Sequence, residues 1–427
     1  MLDIDFVRNN QEIVKKAAKD KGSDVDVSQL LKVDADYRDF LQQAEGLRAR
    51  RNELASAGKN SRPTNEQIAE GRELKGKLSS IEDKTRSLLE LRNDLMYDVP
   101  NIPSEDTPIG LSEDDNVVVR QVGEKTSFDF TPKPHWELTR FIDQETAANN
   151  SGARFAYLKG GLVQLQMALA WWGMQLLTDQ TIIEKIVNDS NLDVSTKPFE
   201  PIYPPLMLNT ETYKATGRLK PDEVTFKLNN DDLWLIGSAE HSLVPYYRNK
   251  TLANDDLPIR LAGYTTAFRR EVGSAGKDTR GIIRVHHFQK LEMESFTNAK
   301  TSRAEHDLMI AIQEYITRQL ELPYQVILKA TGDMGGPNIR GVDIETWMPG
   351  QDRYCETHSA DYMGDFQARD LKTKVKTEDG KQLAHTNDAT AIADRTLIAI
   401  MENYQNQDGT IRVPKVLQVY LNKEVIS

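Results

Sequence analysis

An apolar run from Ile259 to Phe268 ends in Arg269-Arg270-Glu271. A loop of Gly, Ser, Lys and Arg residues then extends from Gly273 to Gly281, and a second run returns through His286-His287-Phe288 to Leu291-Glu292-Met293. This layout could grip a nucleoside triphosphate between two antiparallel strands. Arg269 offers a guanidinium fork suited to phosphate or carboxylate, and a cation that can track charge growing on an attacked α-phosphate. Glu271 can accept hydrogen bonds from an adenine amino group or position the loop, and Phe288 offers a face on which adenine could stack. Arg-x-Glu alone is more often an exposed ion pair of little worth; the whole string from Thr265 to Met293 carries the specificity.

A second group is Glu356, Ser359 and Arg395. A carboxylate and a hydroxyl can share a hard cation such as Mg²⁺ with phosphate oxygens. Arg395 opens an apolar helical run, Arg395 to Tyr404, from which it could reach a terminal phosphate. Each of these residues taken singly reads as solvated surface charge. His286 and His287 are adjacent, and neighbours on a strand point to opposite faces, which disfavours a shared zinc ion. The role of His358 stays open.

These residues need elements to hold them. Strands are expected over 233–237, 259–269, 283–293, 323–330 and 342–348, and helices over Gly160–Thr178 and Asp388–Tyr404. Hairpin-type connections dominate, so the expected fold is α+β, an antiparallel sheet flanked by helices. Trp171 and Trp172, with Leu165, Met167, Leu169 and Met174, read as core or subunit-interface packing.

The N-terminal quarter differs. Residues 3–21 suggest a short amphipathic helix. Leu30, Val33, Tyr37, Phe40, Ala44, Leu47 and Leu54, then Leu74, Leu78, Ile81, Leu88 and Leu95, repeat at 3–4 spacing on otherwise charged segments. The pattern predicts two long helices with a narrow apolar seam, an antiparallel hairpin with arms roughly 40 Å long. Thr64 and Gln67 form a candidate capping box for the second helix. Basic residues gather towards the tip: Arg48, Arg50, Arg51, Lys59, Arg62, Arg72, Lys75 and Lys77. They read either as a solvated coiled-coil face or as a surface tracking the phosphates of an RNA duplex. A turn-rich linker, Val99 to Pro108, follows, so we expect a helical arm over 1–108 and a second domain over 109–427.

Bulk composition sets the bounds. The chain has 427 residues and a net charge of −11, so nucleic acid would have to be held by local basic patches. The single cysteine, Cys355, excludes an intrachain disulfide. No apolar run approaches the roughly 20 residues that span a bilayer. The N-terminus lacks a signal pattern, and a cytoplasmic location is expected.

With these residues in view, the chain resembles the bacterial type of seryl-tRNA synthetase over essentially its full length. The resemblance rests on Phe268-Arg269-Arg270-Glu271 with its loop, on Val285-His286-His287-Phe288, on Asp365-Phe366-Gln367-Ala368-Arg369, and on Arg395-Thr396-Leu397 through Glu402-Asn403-Tyr404-Gln405. Gly152-Ala153-Arg154-Phe155, Pro204-Pro205, the tail Asp408 to Pro414 and the hairpin with Val99 to Pro103 are similar too. The resemblance implies a class II ligase that forms seryl-adenylate from serine and ATP and passes serine to the terminal adenosine of tRNA(Ser), with tRNA(Sec) as a further candidate. It implies a homodimer without membrane association.

By position, the resemblance gives ATP to Arg269, Glu271, Val285, Phe288, Glu356, Thr357, His358, Ser359 and Arg395, and Mg²⁺ to Glu356 and Ser359. Arg269, Glu271 and Arg395 would be catalytic. Serine falls to Ser238, Ala239, Glu240, Arg269, Glu292 and Thr390, and tRNA to Arg48, Arg51, Arg62, Arg72 and Lys75. Three departures stand out. Ser238 replaces the family's usual Thr. The family's Ser- and Asn-rich run reads His358-Ser359-Ala360-Asp361-Tyr362. Its Asn-Gly-Ser loop reads Asn387-Asp388-Ala389-Thr390, with either Thr390 or Ala389 at the serine-contacting position. A silent RNA-binding paralogue, or a ligase for another small amino acid, are the alternatives.

Overall fold

The computed structural model describes residues 1–57, 64–219, 224–272 and 280–427. Lys59, Arg62 and the loop 273–279 lie outside them. The described chain forms two compact units, Met1–Ile102 and Pro103–Ser427.

In the first unit, α1 (Ile4–Asn9) and α2 (Gln11–Asp20) stand where one helix was expected; the chain breaks at Asn10, whose side-chain amide bonds Phe6 O at 3.0 Å. The hairpin is α3 (Val27–Ala57) and α4 (Asn65–Tyr97). The capping box forms: Thr64 Oγ1 accepts from Gln67 N at 3.2 Å and Gln67 Oε1 accepts from Thr64 N at 2.9 Å. Ala44, Leu74 and Leu78 are buried along the seam, and Val7, Val14, Val27, Leu30, Met96 and Val99 make a small core where the helices meet. Asp34 is wholly buried there. It receives Arg8 Nε at 2.7 Å, Arg38 Nε at 3.2 Å and Arg92 Nη1 at 3.4 Å.

The second unit is built on one eight-stranded sheet. Its strands are β1 (Val117–Val122), β2 (Glu200–Ile202), β3 (Ile259–Phe268), β4 (His287–Thr297), β5 (Tyr324–Leu328), β6 (Arg340–Met348), β7 (Arg353–Gly364) and β8 (His385–Ala393). The order is β1-β5-β6-β7-β8-β4-β3-β2. All neighbours are antiparallel except β2 and β3. Helices α5 (Gly161–Thr178), α6 (Ser302–Gln319) and α7 (Asp394–Asn403) pack with the apolar face of this sheet. Alternation along β4 shows the division: Leu291 and Met293 join the core, while Phe288, Lys290 and Glu292 face a cavity.

Two sequence expectations are corrected here. Residues 388–393 are strand, not helix; α7 begins only at Asp394. The strand β7 was missed, because it buries Thr357, His358 and Asp361 and lacks an apolar alternation. In both strands a bulge matters. Glu345 pairs with Glu356 and Ile344 with His358, so Thr357 is the extra residue; Thr390 pairs with Glu292 and Ile392 with Leu291, so Ala391 is extra. A bulge puts consecutive residues out of simple alternation. Glu356 thereby lines the cavity together with Thr357, Ser359 and Asp361.

Trp171 and Met167 are 57 % and 66 % exposed on α5, while Leu165 and Leu169 are core. The core reading therefore does not hold for Trp171 and Met167.

Candidate active site

The cavity on the open face has a volume of about 390 Å³. Arg269, Glu271, Val285, Phe288, Glu356, Thr357, Ser359 and Arg395 line it, as do Ser238, Glu240, Glu292 and Thr390. Two expected contacts do not. Ala239 is fully buried, and His358 turns to the other face of β7, 1 % exposed, with Nδ1 2.9 Å from Thr357 Oγ1. Burial pushes that imidazole down to about 4. Thr390 lines the cavity, whereas Ala389 is buried in the core behind it.

At the cationic end, β3 stops at Phe268, so Arg269 and Glu271 lie just past the strand rather than in it. Arg269 Nε donates to Gly237 O at 3.0 Å, and its guanidinium lies 5.2 Å from the Phe288 ring centroid. Glu271 has a positive φ of 52°, its carbonyl accepts from Arg154 at 2.8 Å, and its carboxylate meets Arg284 at 3.2 Å. Arg395 Nη1 meets the Glu356 carboxylate at 2.8 Å. Burial works against ionisation of Glu356, but Arg395 and then Lys329 outweigh it and hold the carboxyl down to about 2.

The wall from Ile282 to Val285 is set from behind. Glu402 on α7 accepts from His135 Nδ1 at 3.0 Å, which makes His135 Nε2 the acceptor for Ile282 N–H at 3.1 Å. Gly281 precedes this contact with φ +68°, and a Cβ there would sit 2.0 Å from His135 Nε2. Only glycine fits. A similar relay holds Arg269. His241 Nδ1 accepts from Gly237 N at 3.1 Å and lies 2.6 Å from the Tyr213 hydroxyl. Burial, then Arg218, keeps His241 far below its ordinary value, hence neutral.

The other end is acidic. Glu292 Oε1 receives Lys290 Nζ at 2.6 Å and the Ser238 hydroxyl at 3.3 Å; its Oε2 is buried without a partner among the described residues. Glu240 Oε1 receives Arg218 Nε at 2.6 Å and Gln367 Nε2 at 3.4 Å. Arg218 Nη2 also meets Asp388 at 3.2 Å and Asp361 at 3.6 Å. Burial and then neighbouring carboxylates push Asp388 and Glu294 well above the ordinary range. Carboxylate oxygens of Glu240, Glu292 and Asp388 lie within 4.8 Å of one another. With Arg218 and Lys290 already bonded to this group, a substrate ammonium suits it better than a second multivalent cation. Reading the sequence did not find Arg218, Lys290, Asp388 or His241; each is an ordinary residue until the fold brings them together.

On the arm, Arg48 pairs with Glu82 at 2.8 Å, Arg50 with Glu70 at 2.9 Å and Lys77 with Glu73 at 2.6 Å. Arg51, Arg72 and Lys75 are exposed and have no ion pair among the described residues.

Comparison with known proteins fits this geometry. Residues 224–404 match the family model described as tRNA synthetase class II core domain (G, H, P, S and T), which defines the class of the sheet and its cavity. Residues 1–103 match the seryl-tRNA synthetase N-terminal domain. The chain is 39 % identical over 437 residues to a serine–tRNA ligase of Thermosynechococcus vestitus, covering 99 % of this chain and 98 % of that one. It is 37 % identical over 436 residues to one of Symbiobacterium thermophilum, covering 100 % of both. Among solved structures it is similar to seryl-tRNA synthetase from Pyrococcus horikoshii complexed with ATP, with a TM-score of 0.86, 31 % identity and 100 % and 99 % coverage. The chain belongs to the seryl-tRNA synthetase family.

Proposed function

We propose that the chain is an ATP-dependent serine–tRNA ligase. The observation that carries this reading is the pair of tethered carboxylates: among the described residues, the bonds that Glu240 and Glu292 accept fall on Oε1, and Glu292 Oε2 is buried without a partner. Their second oxygens are two acceptors for an ammonium and a short hydroxyl, beside Thr390. An alanine would leave an acceptor unpaired, which costs it affinity, and the enclosed end disfavours a further methyl.

A serine carboxylate facing Arg269 attacks the α-phosphorus of ATP. The new bond is carboxylate oxygen to phosphorus; the bond to the bridging oxygen breaks and pyrophosphate leaves. Arg269 and Arg395 stabilise the growing negative charge, Phe288 stacks adenine, and Glu271 accepts from its amino group. A ribose hydroxyl of the terminal tRNA adenosine then attacks the seryl carbonyl and AMP leaves. Catalysis is positioning and charge stabilisation, without a covalent enzyme intermediate.

Glu356 and Ser359 offer hard oxygens on one face of β7, a donor set that fits Mg²⁺. When bound there, Mg²⁺ would offset charge on the ATP phosphates. The arm's Arg51, Arg72 and Lys75 supply cations for the tRNA backbone. Exposed Trp171 and Met167 on α5 suit a second copy of the chain, and the reaction belongs in the cytoplasm.

ATP–pyrophosphate exchange across the amino acids, followed by aminoacylation of tRNA(Ser), tests this. Exchange should be strongest with serine. Exchange with another amino acid and none with serine would overturn it.

A further inference from the structure

Two of the stretches that depart from the family pattern meet in space. Asp361 on β7 and Asp388 on β8 are direct cross-strand partners. Two ionised carboxylates opposite each other would destabilise a sheet, and the two residues are largely buried, at 9 % and 5 % exposure. What makes the pair tolerable is Arg218, whose Nη2 reaches both, at 3.6 and 3.2 Å. The guanidinium is planar and rigid, so contacts that fix Nη2 also fix the direction of Nε–H. Nε holds Glu240 Oε1 at 2.6 Å. Lys290 Nζ holds Glu292 Oε1 at 2.6 Å.

We propose that Arg218 is a positioning residue for the amino acid: anchored by Asp361 and Asp388, it aims the free oxygen of Glu240 at the substrate ammonium. This rests on reading the cavity's acidic end as the serine site. Asp361 and Asp388 then act on serine only through Arg218. The competing account is that Arg218 merely balances the two aspartates.

Steady-state ATP–pyrophosphate exchange on the full chain separates the two accounts, using Arg218→Gln, Arg218→Lys and the neutral triple variant Arg218→Gln/Asp361→Asn/Asp388→Asn. Loss of a charged, part-buried hydrogen bond predicts a serine KM raised about 100-fold in Arg218→Gln, with ATP KM within about 2-fold of the parent. Arg218→Lys should recover part of this, since an ammonium carries charge without the fork. The triple variant removes the two aspartate charges together with the guanidinium that balances them, and should still show serine KM raised at least about 30-fold. Parental serine KM in the triple variant, or equal rises in serine and ATP KM in Arg218→Gln, would overturn the proposal. Absence of serine exchange in the unmodified chain would instead undo the reading on which it rests.

Discussion

Among the described residues, each unit has a charged hub that serves three partners of opposite sign: one is a wholly buried carboxylate, the other a guanidinium 17 % exposed. In the arm the hub is a carboxylate, Asp34, and its partners are Arg8, Arg38 and Arg92. In the catalytic unit the hub is Arg218, and its partners are Glu240, Asp361 and Asp388. The difference lies in where the surplus charge goes. Arginines have long stems and can keep part of the guanidinium in water; those around Asp34 remain 18–54 % exposed. Carboxylates have short stems. Those around Arg218 are 6–12 % exposed, so their surplus stays inside the protein. The first hub is a complete staple. On the proposed reading, the substrate ammonium completes the second.

The largest effect should come from Glu292→Ala, which removes the acceptor for the serine hydroxyl: serine-dependent exchange should fall in kcat/KM by about 10³-fold. Unchanged exchange would refute the acidic end as the serine site. Next, Asp34→Ala leaves three arginines facing an empty centre and should destabilise the arm by ~3 kcal/mol, read by urea unfolding of the full chain. The same variant should keep serine-dependent exchange within about 2-fold while losing tRNA aminoacylation; a matching loss of exchange would show that the hubs are not separate.

A pH test follows from Asp394, which lines the cavity and bonds Gln166 at 2.6 Å and Gln289 N at 3.1 Å. Burial pushes its carboxyl up to about 6. Because the folded value is raised, the protonated form favours folding: this contribution is full below about pH 4 and lost as pH rises through about 6. Asp394→Asn should therefore narrow the fall in stability between pH 4 and 7, by up to ~3 kcal/mol. An unchanged difference between the two pH values would count against it. The smallest effect is expected on the arm. Arg72→Ala with Lys75→Ala should weaken tRNA binding several-fold and lower the salt slope by about 2. Arg48→Ala should do less, since Glu82 already neutralises Arg48.

The hairpin was legible because its apolar seam repeats over many turns and its cap has a fixed spacing, Thr64 to Gln67. The cationic end was legible because Arg269, Glu271 and Phe288 fall within one contiguous string. The strands carrying Glu356 and Thr390 were not, since buried polar residues such as Thr357, Asn387 and Asp388 hide the alternation that marks a strand. Asp34 was passed over because it stands beside Val33 in the seam and two of its three arginines, Arg8 and Arg92, come from far along the chain. Arg218 likewise gains meaning only from partners on three other elements. Long-range convergence of ordinary charged residues leaves no local pattern.

The bulges at Thr357 and Ala391 have a consequence for heredity. A strand is read in steps of two, and each bulge shifts the phase by one, so that Glu356 joins the odd-numbered residues of its strand and Ala393 the even-numbered ones of its own. Losing one residue at either place would restore an unbroken ladder while turning everything on one side of it to the wrong face. At these two positions a change of length silences the enzyme more surely than a change of residue, and it does so while leaving a well-paired sheet behind.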